Sequence, residues 1–245
     1  MLSEAVTQFQ AQAYKELLPP GGPVNTQIIG QVDPIKEERA QRVKDFMNYQ
    51  ITYEMEEYDP DLDSLLFYLP LSGSAFKKVY FDDGLGRPVS KFVPSDDLYV
   101  PYQTTDFPSC ERITHVVRRT ENEIRKMQVS GMYRDVDIKA NDNQSGLQEK
   151  EGQISGVKKS YQDNLYQLLE MHVDLNIEGV DSEDGIKVPY IVTIDEGSGK
   201  VLSIYRNYRE DDPSRAKTQY FVHYKFLPGF GFYGFGLVHM LGGLS

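Results

Sequence analysis

The stretch from Leu65 to Tyr102, LLFYLPLSGSAFKKVYFDDGLGRPVSKFVPSDDLYVPY, constrains the chain more than any other. A leucine-rich helix end runs into the small-residue break Ser72-Gly73-Ser74, and the β-rich run Ala75 to Phe81 follows it. Asp82-Asp83-Gly84-Leu85-Gly86 then turns the chain back through Val89 to Val93. Asp-Gly beside β-rich runs is a strong hairpin signal, because glycine accepts the positive φ that tight turns need. Gly73, Gly84 and Gly86 are therefore expected at turns or hinges. The stretch carries no nucleophile, metal cluster or phosphate loop.

Helices are expected before the hairpin. Leu2, Val6, Phe9, Ala13 and Leu17 recur at helical spacing until Pro19-Pro20-Gly21-Gly22-Pro23 stops the run. Val24 to Ile29 reads as a short strand. Asp33-Pro34 reads as an N-cap with a first-turn proline, opening a helix to about Tyr53 with Ile35, Val43, Phe46, Met47 and Ile51 as its apolar stripe. Asp59-Pro60 repeats that start signal, and Leu62, Leu65, Leu66 and Leu69 mark a short buried helix.

After the hairpin, Ile113 to Arg118 reads as a strand, and Thr120 with Glu123 forms a capping box for a helix ending before Gly131. Asp135 to Lys159 is polar and poor in apolar residues, which suits a mobile loop or insertion. Leu168–Ile177, Ile186–Ile194, Val201–Tyr205 and Gln219–Phe226 are strand candidates joined by turn-prone links, the pattern of an antiparallel meander. The expected fold is α+β, with N-terminal helices, a central hairpin and a C-terminal antiparallel sheet. The expected divisions are a helix–hairpin part over 1–134, a polar loop over 135–162, a β part over 163–228 and a glycine/aromatic connector over 229–245.

Charge narrows the function classes. A net charge of −11 argues against a surface that grips phosphates, since nucleic-acid binders cluster Lys and Arg. DNA meeting this chain would be guided past it without tight binding. The single cysteine, Cys110, permits no internal disulfide and suits a reducing compartment. The first residues lack the basic flank and apolar core of a signal peptide.

Candidate chemistry is weak throughout. Gly229-Phe230-Gly231-Phe232-Tyr233-Gly234 matches G-x-G-x-x-G, but Gly242-Gly243 interrupts the helix that should follow, and bulky aromatics obstruct a pyrophosphate. Six glycines and Pro228 over 226–245 also disfavour a membrane-spanning helix. Gly229, Gly231, Gly234 and Gly236 read instead as hinge positions in a packed connector whose final serine resembles the N-cap of a following helix.

The acidic run Glu54 to Asp63 lacks the glycine and twelfth-position glutamate of a calcium loop, and reads as a solvated helix junction. His115, His172, His223 and His239 have no metal spacing. Cys110 and His115 would form a nucleophile–base pair only if folding brought them together. No catalytic, cofactor-binding or metal-binding residues are assigned, and no cofactor is expected.

Several segments, taken in order, resemble the portal protein of short-tailed, double-stranded DNA bacteriophages. They are VKDFMNYQI from Val43, EEYDPDLD from Glu56, PLSGSAFKKVYFDD from Pro70 and KFVPSDDLYVPY from Lys91. CERITHVVRRTENEIRKMQVSGMYRD from Cys110 and GFYGFGL from Gly231 continue the similarity. The resemblance implies a non-enzymatic structural subunit of a homo-oligomeric ring, usually of twelve, at one capsid vertex of the virion, assembled in the host cytoplasm. Such rings dock terminase and tail adaptors and pass the genome, while ATP hydrolysis belongs to the terminase. The chain would correspond to the outer, wing-like part of the subunit, with channel-lining helices expected after the connector. Two other readings remain open from sequence: a tail-adaptor or carbohydrate-binding β module, and an enzyme using Cys110 or a histidine.

Overall fold

The computed structural model describes residues 2–138, 165–181 and 185–242. The fold is α+β, with two antiparallel sheets. The chain forms two compact units, Met1–Ser95 with Tyr220–Ser245, and Asp96–Gln219.

In the first unit, α1 (Leu2–Leu17) buries Val6 and lays Phe9, Ala13 and Tyr14, with Leu18 just past its end, against a core of Leu62, Leu65, Leu66, Leu69 and Ala75. Leu17, assigned to that stripe from its spacing, is half-exposed, and Leu18 packs instead. Helix α2 (Pro34–Tyr49) starts as expected, with Asp33 Oδ1 accepting from the Ile35 amide, and continues into a π turn, Gln50–Glu54. Helix α3 (Tyr58–Ser72) carries the core leucines.

Three sequence expectations change here. Val24 to Ile29 is not a strand: the side-chain amide of Asn48 accepts from Val24 N at 2.9 Å and donates to its carbonyl at 3.1 Å. One asparagine thereby satisfies both backbone groups of Val24, as a neighbouring strand would have done at that residue. Asp59 is not an N-cap, because α3 begins at Tyr58, and its carboxylate accepts from the Tyr14 hydroxyl instead. The apolar stripe of α2 is not buried. The helix turns Ala40, Lys44 and Asn48 inward, while Ile35, Val43, Phe46 and Met47 are exposed.

Strands β1 (Ser74–Asp82) and β2 (Arg87–Pro94) form the expected hairpin. Asp82 Oδ1 accepts from the Gly84 and Leu85 amides, and Gly86 closes the turn at φ +65°. The third strand of this sheet is β8 (Phe221–Lys225), which pairs with β1 in the order β2-β1-β8.

The second unit is a five-stranded sheet ordered β3 (Leu98–Tyr99), β4 (Arg112–Thr120), β5 (Leu165–Leu175), β6 (Val188–Asp195), β7 (Val201–Arg206). Helix α4 (Glu121–Val129) opens on the anticipated capping box, with Thr120 Oγ1 accepting from Glu123 N and the Glu123 carboxylate accepting from Thr120 N. Ile124 of α4 packs with Leu168 and Leu202.

The division differs from boundaries at 134, 162 and 228. Of the four strands expected to form one meander, β5, β6 and β7 do so, but β8 leaves them to pair with β1, which returns residues 220–242 to the first unit. The polar loop expected over 135–162 begins differently. Val136 and Ile138 pack on the α4 core, and Lys200 Nζ donates to the Asp137 carbonyl at 2.7 Å. Residues 139–164 lie outside those described.

Candidate functional site: a glycine seam with an aromatic cover

The most elaborated arrangement in the first unit lies where α3 gives way to β1. Helix α3 ends at Gly73, which takes the left-handed conformation, φ +83°, and donates to the Leu69 carbonyl at 2.8 Å. An L side chain is strained there, so the break is a glycine C-cap. Strand β8 runs antiparallel to β1 as far as Lys225 opposite Ser74, and Phe226 N then donates to the Gly73 carbonyl at 3.0 Å.

The connector beyond folds back on itself. Leu227 and Phe235 exchange both backbone hydrogen bonds, at 3.2 and 2.9 Å, and the loop they close lies directly on the α3–β1 break. A Cβ on Gly73 would fall on the Gly236 amide and 2.5 Å from the Gly234 carbonyl. One on Gly234 would stand 2.5 Å from the Gly73 carbonyl and 2.6 Å from that of Leu227. One on Gly236 would meet the Leu71 carbonyl and lie 2.7 Å from Gly73 N. Two backbones thus touch with no room for side chains between them. Gly229 is crowded in the same way by the Tyr233 carbonyl.

Sequence reasoning nominated seven glycines, and the structure sorts them. Gly73, Gly234 and Gly236 converge on this seam, Gly229 tightens the connector, and Gly84 and Gly86 shape the distant hairpin turn. Gly231 has ordinary φ and open space, so nothing in the structure requires glycine there.

Ser74 and His223 are central to the seam, and sequence reasoning missed both roles. Fully buried Ser74 Oγ accepts from the Gly234 amide at 2.7 Å and lies 3.0 Å from His223 Nε2. The imidazole stacks on Phe232, at 4.6 Å, and packs at a tilt against Phe76, at 4.5 Å, while the two phenyl rings also stack on each other at 5.9 Å. Burial, with the charge of Lys225 adding to it, lowers the His223 pKa to about 4. The ring is therefore neutral at neutral pH and completes a cluster of three rings with Phe76 and Phe232. Ser74 and His223 are 149 positions apart. No spacing rule links such a pair, and a serine beside a glycine break was its sole local trace.

This arrangement positions backbone and offers little to a reactant. The Gly234, Phe235 and Gly236 amides donate to Ser74 Oγ, the Leu227 carbonyl and His239 Nδ1. Of these, only the Gly234 amide belongs to the G-x-G-x-x-G run of Gly229 to Gly234, and its bond to Ser74 takes that donor from a phosphate. Ser74 is fully buried, and half-buried His223 packs on Phe232, which is 4% exposed.

A second charged arrangement flanks the first. Half-buried Glu57 receives Arg87 Nη1 at 3.0 and 2.9 Å and the Ser90 amide. Burial pushes its pKa up, but its own backbone amide, Arg87 and Ser90 N outweigh that and hold the carboxyl below its usual range. Asp61 accepts from Phe92 N, Asp59 from Tyr14, and Asp63 from Gln10. The acidic run, read as a solvated junction, leaves Glu56, Asp59 and Asp63 exposed, and four of its carboxylates also tie the start of α3 to α1 and β2. Lys77 lies beside it, 2% exposed, with Nζ 3.8 Å from the Tyr58 ring centre and no hydrogen-bond partner among the described residues. Burial lowers its pKa to about 8, against the opposing pull of Asp61 and Glu57.

In the second unit, Cys110 is buried, its thiol donating to the Arg112 carbonyl at 2.9 Å and receiving the Thr104 hydroxyl at 3.6 Å. His172 lies 2.9 Å from Glu170. A shallow polar cavity of about 400 Å³ is lined by Val180, Asp181, Arg206, Tyr208, Glu210, Asp212 and Arg215, three acids against two arginines. Among the described residues, no three or more His, Cys, Asp or Glu side chains gather where they could hold a metal, and no helix is long and apolar enough to cross a membrane.

Comparison with known proteins adds no family: no protein-family model matches the chain, and no curated protein matches it.

Proposed function

We propose that the chain is a non-enzymatic structural subunit of a phage portal ring, the conduit at a capsid vertex through which double-stranded DNA enters and leaves. The observation that carries this reading is the seam. Gly73, Gly234 and Gly236 bring two backbones into contact, and Ser74, His223, Phe76 and Phe232 cover the join. Such packing fixes the direction of the chain leaving the connector, through the short helix Leu237–Leu241. A subunit that must hold a channel helix at a set angle needs that kind of joint. The seam also contains Gly231 to Leu237, one of the segments that resemble portal proteins.

Net charge supports the same role. At −11, the chain repels phosphates on average, which lets DNA pass without being held. Terminase, capsid and tail adaptors would be its protein partners in the virion, and copies of itself its closest neighbours. Electron microscopy of the purified protein tests the proposal. The expected result is closed rings, twelve-fold by resemblance. A protein that stays monomeric at every concentration and ionic strength would refute it.

A further inference from the structure

We infer that copies of this chain join head to tail, with the hairpin tip of one seated on the outward face of α2 of the next. The inference rests on the reading that the chain assembles with its own copies, and names the two surfaces that meet.

The first surface is the exposed side of α2 and its π turn. Ile35, Val43, Phe46 and Tyr49 point away from the inward residues Ala40, Lys44 and Asn48, and each is half-exposed or more. Tyr53 is 75% exposed and stacks on Tyr49 with ring centres 5.8 Å apart. At ~1.5 Å per residue, this stripe runs roughly 27 Å. It exposes apolar area on the order of 600 Å², judged from the usual size of such side chains, which approaches one partner's share of a standard interface. Arg39 and Arg42 lie on the same face at helical spacing, Arg42 coming only within 4.0 Å of Glu38. Helix α2 carries four basic side chains against three acidic ones, in a chain whose total is −11.

The second surface is the tip of the β1–β2 hairpin. Val79 and Phe81 share one face of β1, 41% and 61% exposed, and Leu85 in the turn is 60% exposed. Asp82 and Asp83 sit among them, and no basic residue occurs from Val79 to Gly86. Both surfaces are therefore apolar, one bearing arginines and the other aspartates.

Charge also selects the geometry. Two α2 helices packed antiparallel on each other would bring Arg39 and Arg42 of one copy toward those of the other. Like charges at an apolar contact are costly, which disfavours a symmetric pair. Joining arginine-bearing to aspartate-bearing surface is favourable, and because the two patches differ, the contact is heterologous. Repeated, such a contact closes a ring or extends a filament.

The test uses two single variants of the full 245-residue chain, Phe46→Glu and Phe81→Glu, studied by sedimentation velocity across concentration. Wild type should self-associate, each variant alone should stay monomeric, and an equimolar mixture should stop at a one-to-one dimer, since one intact pair of surfaces remains. Arg42→Glu should weaken association about tenfold or more, and Asp83→Arg in the same chain should restore it. This charge swap decides the matter if either phenylalanine variant misfolds by circular dichroism. If wild type assembles and the variants assemble equally well, the surfaces are wrong and the assembly reading stands. If the mixed variants remain monomeric while wild type assembles, the head-to-tail pairing is wrong. A monomeric wild type overturns both.

Discussion

Replacing Gly236 with alanine tests the seam most directly. Its backbone, φ −102° and ψ 177°, is one alanine adopts freely, so strain of conformation plays no part. The cost is steric: the new methyl would overlap the Leu71 carbonyl and lie 2.7 Å from Gly73 N. Both are backbone atoms in the last turn of α3, so neither can swing aside as a long side chain could. The protein then has two responses, to distort the helix end or to lift the connector away.

Lifting it exposes Phe232, worth about 2 kcal/mol, and breaks the buried bond from Gly234 N to Ser74 Oγ, worth about 1–2 kcal/mol. The cheaper response prevails, so connector stability should fall by about 3–4 kcal/mol at most. A chain of two units is a poor subject for a single unfolding midpoint, so a local probe is needed. Hydrogen exchange at the Gly234 and Phe235 amides should accelerate by about 100- to 1,000-fold, the rate change equivalent to that free energy. Gly231→Ala supplies the control, since its methyl meets open space. It should change exchange by less than about threefold, as surface substitutions ordinarily do. Equal exchange in the two variants would refute the close backbone contact and the reasoning built on it.

Three further outcomes follow. His223, neutral in the fold with a pKa near 4 against 6.5 for the free side chain, should make the seam acid-labile. The unfolded state takes up its proton first as pH falls, so stability present above pH 6.5 is lost toward pH 4, by at most about 3 kcal/mol; exchange of the Gly234 amide against pH measures it. Lys77 acts in the opposite range, because its folded pKa near 8 lies below its unfolded 10.5, so first-unit stability should rise from pH 8 to 10.5. Lys77→Met should stabilise that unit by about 1–3 kcal/mol at pH 7 and lose the advantage by pH 10.5, as urea melts at the two pH values would record. Thr120→Ala removes one side of the α4 capping box and should cost about 1 kcal/mol in the second unit, read from amide exchange at Glu123.

Local chemistry determined much of this protein. The hairpin turn, the Asp33-Pro34 helix start, the Thr120 capping box and the strand runs depend on residues within a few positions of one another, so the sequence displays them directly. The leucines of α3 were recognisable as core for the same reason: their spacing sets one face whatever that face meets. Pairing across long separations was decided only in three dimensions. Strand β8 looks like β5 to β7 in composition, yet it joins β1, where Phe226 and the connector beyond it continue the contact onto the α3–β1 break. Glycines alike in sequence became unlike in role, since only contact with a second backbone separates Gly236 from Gly231. The outward face of α2 shows the converse: periodicity marked an apolar stripe, but it could not say that Asn48 would bond to Val24 and turn the stripe toward solvent. A helix's pattern fixes which residues share a side, whereas the partners available elsewhere in the chain determine which side is covered.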